Sequence, residues 1–153
     1  MSDDSGSSST SARGPEPVVW ADDYALGVGD IDCQHQLLFQ RVNAFFGAAR
    51  SADPQGALEE ALGALRTDAA HHFVEEEKYM ERIAYPGRDG HGAAHRVLMR
   101  QLEGVASQLS AGGSSVAVIV ASAGLLRGWL LDHIVDEDGA VGAYARSLPR
   151  SRP

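Results

Sequence analysis

Beyond residue 30, apolar residues recur at three- and four-residue steps in four separate stretches, the period of a helix with one buried face. The first stripe is His35, Leu38, Val42, Phe45 and Ala49, with Asp30 or Asp32 placed to cap its start and an expected stop near Ser51, before Pro54. The second opens after Asp53 with Pro54 in its first turn. Its stripe runs Leu58, Leu62, Leu65, Ala69, His72, Glu76, Tyr79, Ile83, and Pro86 ends it. The third reads His91, His95, Leu98, Leu102, Val105, Leu109 and meets a stop signal at Gly112-Gly113. The fourth reads Ile119, Ser122, Leu126, Trp129, His133, with Ser114 or Ser115 as the cap. No strand-like alternation of useful length competes. Four helices joined by short connections must lie antiparallel to their neighbours, so the pattern predicts an all-α, antiparallel up-down four-helix bundle.

Ahead of the first stripe, Val18 to Gly29 is aromatic and apolar without helical spacing, and predicts an N-terminal arm that packs through Trp20 and Tyr24. Residues 1–17 are Ser, Asp, Gly and Pro with little to bury, and are expected to form a flexible tail. The bundle domain is thus expected over residues 18–150.

Composition narrows what such a bundle does. The chain has 153 residues, enough for one domain with a hydrophobic core and too few for two ordinary ones. Its 13 Lys and Arg are scattered among 21 acids for a net charge of -8, which disfavours nucleic acid and anionic membrane surfaces as partners. A single cysteine, Cys33, closes no internal disulfide, so packing or a metal must hold the fold. The N-terminus lacks the basic and apolar regions of a secretory signal, and the most apolar stretch, Val116 to Leu126, is short for a bilayer. We therefore expect a soluble, cytoplasmic monomer.

The chemistry lies in where the histidines fall. Five of the six, His35, His72, His91, His95 and His133, sit on the inward stripes, with at least one on every helix. A buried imidazole needs a partner for each ring nitrogen, and five unrelated solutions in one small core would be costly. A shared metal site satisfies them together. His91 and His95 are one turn apart, as are His72 and Glu76, so each pair reaches one point from one face. Imidazole with carboxylate and no thiolate suits iron, zinc or copper, and a carboxylate among histidines from several helices suits a two-ion site. The competing pair His71 and Glu75 belongs to a solvated stripe with Asp68 and Lys78. Cys33 lies about 200° around the helix from His35 and stays outside the site. Glu75, Glu77 and Glu81 read as solvated surface.

Four segments then resemble the hemerythrin and bacteriohemerythrin family. They are Val28 to His35 (VGDIDCQH), His72 to Glu77 (HFVEEE), Tyr85 to His95 (YPGRDGHGAAH) and Trp129 to Asp138 (WLLDHIVDED). They occur in the family's order over about residues 18–148. The resemblance implies two non-haem iron ions with an oxo or hydroxo bridge, one held by His91, His95 and His133 and the other by His35 and His72. It makes Glu76 and Asp138 the bridging carboxylates. Helical spacing alone would favour Asp136 or Glu137 over Asp138, so the family pattern requires the helix to loosen or end there. Phe73, Trp129 and Leu130 resemble the apolar lining of the family's oxygen pocket, and ordinary bundle core explains them equally well. The implied activity is reversible dioxygen binding, and an enzyme is not expected. Rival readings are a di-iron redox enzyme acting on oxygen, peroxide or nitric oxide, a sensor working through a redox or signalling partner protein, and a structural zinc bundle.

Overall fold

The computed structural model describes residues 15–150; the expected tail, up to residue 14, lies outside them. Four rods carry the fold. They are α1 (Gly29–Ala48), α2 (Pro54–Arg82), α3 (Arg88–Ser110), and a continuous run made of α4 (Val116–Leu131), a π-helical segment (Asp132–Asp138) and α5 (Gly139–Ser147). There is no strand among the described residues. The fold class is the all-α bundle that the stripes predict.

Local chemistry sets the ends of the rods. Pro54 occupies the first turn of α2, where its missing N–H costs nothing. α3 closes in a paired-bond turn: Gly112 adopts φ 84° and donates to Leu109 O, and Gly113 N donates to Gln108 O at 3.2 Å. A side chain at Gly113 would run into that same Gln108 carbonyl. Of the two expected caps for α4, Ser115 serves, its hydroxyl accepting from Val118 N. The expectation for α1 is corrected. Val28 is its N-cap, and Asp32 lies inside the first turn, where its carboxylate reaches back to accept from Leu26 N (2.6 Å) and Gly27 N (3.0 Å).

The arm packs as its composition suggests. Trp20 meets Tyr24 and Phe39 edge-on, with ring centroids 5.7 and 5.4 Å apart. Val18 exchanges two 2.8 Å hydrogen bonds with the Asn43 side chain on α1.

The core divides into two apolar clusters. The larger includes Leu38, Phe45, Leu58, Leu65, Leu102, Leu126 and Ile134; the smaller joins Leu26, Ile31, Met80 and Val141. His35 on α1, Glu76 on α2 and Asp138 on the last run fall between the two along their rods. The last run was expected to be short in its apolar part. It is instead a 32-residue helix, Val116–Ser147, long and apolar enough by length and composition to cross a membrane. It is the fourth rod of the bundle and buries Leu126, Leu130, Ile134 and Val141 within it.

Truncating Phe45, which is fully buried, to Ala should cost about 3–5 kcal/mol in guanidinium unfolding. Val120→Ala, at a 61 % exposed position, should stay within about 0.5 kcal/mol of the parent. Equal losses at the two positions would contradict this placement of the core.

Candidate metal centre

Each rod delivers its polar stripe residues to one layer. α1 supplies His35, α2 His72 and Glu76, α3 His91 and His95, and the π segment His133 and Asp138. None of the seven is more than 6 % exposed. His72 and Glu76, like His91 and His95, share a face because they are four residues apart on an α-helix. His133 and Asp138 are five apart, which on an α-helix puts them about 140° around the axis from one another. The π segment removes that offset: its i→i+5 bonding makes residues five apart neighbours. His133 Nε2 stands 3.0 Å from Asp138 Oδ1. Of the three acids considered for this position, Asp138 is fully buried and Asp136 and Glu137 are exposed.

All five imidazoles turn Nε2 inward. Asp138 Oδ1 lies 3.1 Å from His91 Nε2, and Oδ2 lies 2.9 Å from His35 Nε2 and 3.8 Å from His72 Nε2. Glu76 Oε2 is 3.1 Å from His95 Nε2, 3.2 Å from His91 Nε2 and 3.6 Å from His72 Nε2. The inward nitrogens also meet each other, His35 with His72 at 3.2 Å and His95 with His133 at 3.1 Å. Two groups, each able to hold a metal ion, emerge: Glu76, His91, His95, His133 and Asp138, and His35, His72, Glu76 and Asp138. The two carboxylates are common to both.

The donor set fits a pair of cations. Both Asp138 oxygens and Glu76 Oε1 are buried with no N–H or O–H aimed at them, so the short distances around Asp138 are charge contacts without hydrogen-bond alignment. Nitrogens at right angles about 2.1 Å from one ion stand about 3.0 Å apart, close to the spacing of the His95–His133 pair. Electron-pair donors turned on one point and starved of protons suit metal better than they suit one another.

Electrostatics within the layer run the same way. Burial alone would push the Asp138 carboxyl up, yet the surrounding imidazoles, His133 and His35 foremost, outweigh it and hold it well below the usual carboxylate range. Glu76 is lowered too, because its contacts with His91 and His95 overcome burial and the adjacent Asp138 charge. Burial pulls His91 down, but Asp138 and Glu76 prevail and push it up to about 10. His133 is raised against burial by Asp138. His72 is lowered, chiefly by burial. Both carboxylates are therefore held ionised, as ligands must be.

The outer nitrogens of the rings show what the stripes did not. His95 Nδ1 is 2.8 Å from Glu77 Oε1, and His72 Nδ1 is 3.0 Å from Gln34 Oε1. Glu77, expected to be plain solvated surface, is half-exposed and reaches inward to a buried ring. Helical periodicity could not find it, since it lies one position beyond the inward Glu76; adjacency to a candidate ligand was the available signal. Glu75 pairs with Lys78 and Glu81 with Arg88 at the surface. His71 and Cys33 are exposed and stand outside the cluster. Phe73 stacks on His95 with centroids 4.0 Å apart and planes 14° apart, and meets Trp129 at 6.2 Å. Leu130 is fully buried in the larger apolar cluster. A surface groove lined by Leu98, Gly128, Trp129 and His133 comes down to this side of the layer.

Comparison with known proteins agrees with this geometry. The family model for the Hemerythrin HHE cation binding domain matches residues 26–145. A bacteriohemerythrin from Pseudomonas paraeruginosa is 30% identical over 132 residues, covering 86% of this chain and 84% of its own. A myohemerythrin from Sipunculus nudus is 29% identical over 120 residues, 78% of this chain and 87% of its own. A crystal structure of a mutant protein superposes with a TM-score of 0.72 at 25% identity, over 82% of this chain and 95% of that one. With four ordered rods, the buried His, Glu and Asp layer and a family match spanning most of its length, this chain belongs to the hemerythrin family.

Proposed function

We propose that the protein binds dioxygen reversibly at a non-haem di-iron centre built within one bundle domain, residues 18–150. His91, His95 and His133 would hold one iron and His35 and His72 the other, with Glu76 and Asp138 as the carboxylates common to both and an oxo or hydroxo group completing the pair. The observation that carries this reading is that a three-histidine group and a two-histidine group share the same two carboxylates. Five histidines divided three and two give the two-histidine side one protein donor fewer, and a small ligand would be expected to bind on that side.

When bound, the ferrous pair supplies the electrons that dioxygen binding requires. The chain's part is to hold, to orient and to keep dry. Five neutral imidazoles and two carboxylates cancel less positive charge than a carboxylate-rich site does, which disfavours high-valent iron and the oxidase chemistry it supports. Phe73 lies against a ring of each group, His72 at 5.6 Å and His95 at 4.0 Å, and with Trp129 and Leu130 it adds apolar surface that would limit the water and protons reaching the layer. That balance favours reversible binding, for storage, delivery or sensing, over a redox enzyme.

Purified protein should carry about two irons per chain, and its reduced form should gain a visible charge-transfer band on exposure to air that vanishes on degassing. One or two zincs in place of iron, or irreversible bleaching in a single cycle, would sink the proposal. His91→Ala should strip iron from the three-histidine side and lower the unfolding midpoint as well, because buried partners are left unpaired; a fully loaded, equally stable variant would show the centre misplaced. Ligation needs neutral imidazole, and Asp138 and Glu76 favour a proton on His91. Iron uptake by chelator-stripped protein should therefore release protons, and its affinity should rise with pH until His91 loses its proton, up to about 10; pH-stat titration checks both, and a pH-independent uptake contradicts them.

A further inference from the structure

Because every imidazole of the layer turns Nε2 inward, whatever meets Nδ1 decides how the ring is aimed and which nitrogen keeps the proton. Four of the rings differ in this respect. His95 Nδ1 has the Glu77 carboxylate at 2.8 Å. His72 Nδ1 has the neutral Gln34 amide at 3.0 Å. His133 Nδ1 has Glu137 at 3.4 Å without hydrogen-bond alignment, and His35 Nδ1 is buried without a partner. The anionic partners thus fall on the three-histidine group, and the shortest contact is to Glu77. On the same ring, Phe73 lies nearly parallel at 4.0 Å and sets the plane of His95, leaving its angle within that plane to be fixed by Glu77.

We infer that Glu77 is a positioning residue for the three-histidine half of the centre. It accepts the Nδ1 proton of His95, which leaves the lone pair on Nε2, aims that nitrogen at the layer and raises its basicity. The two halves then differ in strength: the half backed by carboxylates takes up a divalent ion first and holds it more tightly than the half backed by an amide. This rests on the ligand assignment proposed above.

The test is an anaerobic titration of the chelator-stripped full chain with ferrous iron and, separately, with cobalt(II). The parent should show two binding steps. Glu77→Ala should weaken the tighter step by about 10- to 100-fold and leave the weaker one in place, with the unfolding midpoint of the stripped protein unchanged. Glu77→Gln, whose amide oxygen accepts the same bond without the negative charge, should fall between the parent and the alanine variant. Glu81→Ala, one turn further on and 70 % exposed, should behave as the parent. If the alanine variant does not fold, Glu77→Leu keeps the volume while removing the acceptor and should show the same weakening. A parent-like isotherm for the Ala or Leu variant, or a Gln variant as impaired as either, overturns the role of Glu77. A parent chain that takes up no metal overturns the reading of the centre itself, and this inference with it.

Discussion

Five imidazoles and two carboxylates share one dry layer between two apolar clusters, and the rest of the molecule is arranged around that fact. Separately, each would be a costly buried polar group. Facing one another at about 3 Å they are still poorly matched, since lone pairs on Asp138 and Glu76 meet few directed protons. A cation satisfies the set at once, and this makes the layer a constraint on the whole bundle. Each rod must present its ligand-type residues at one height, and a slip of one residue would turn a stripe by about 100° and carry its histidine out of the layer.

That constraint accounts for the one irregular piece of backbone in the rods. An unbroken α-helix could bring His133 to the layer or Asp138, but not both on the same face. Widening Asp132–Asp138 into π geometry lets both converge while Leu130 and Ile134 keep their places in the larger cluster and Val141 in the smaller. π-helical turns are rare and tend to occur at functional sites. Here the cause is local and physical, two buried groups five residues apart that must meet at one point.

Around the layer the surroundings are uneven. The three-histidine side is walled by Phe73 and Trp129 and backed by Glu77 and Glu137; the two-histidine side has the arm's Trp20 near His35 and the Gln34 amide behind His72. Apolar walls on one face of an imidazole and a carboxylate on its far nitrogen act on different properties. The first governs water access, the second basicity and aim. Their concentration on one side fits a centre whose two halves do different work.

Much of this was legible in the order of residues. Helical period alone marked four stripes, and five histidines on those stripes marked a shared site, because burial of unpartnered imidazole is expensive wherever it occurs. The stop at Gly112-Gly113 followed from local chemistry, which also narrowed the α4 cap to Ser114 or Ser115. What periodicity could not reach were departures from ideal helix geometry and contacts between rods. Helical spacing favoured Asp136 or Glu137, and the π segment instead buries Asp138 in the layer; Asp32 proved to tie the arm instead of capping α1, and Glu77 looked like surface until packing brought His95 beside it. The sequence by itself determined which side chains must be buried together, since that depends on spacing along one helix; only the tertiary structure decided which atoms meet, since that depends on how neighbouring helices are rotated and where the backbone yields.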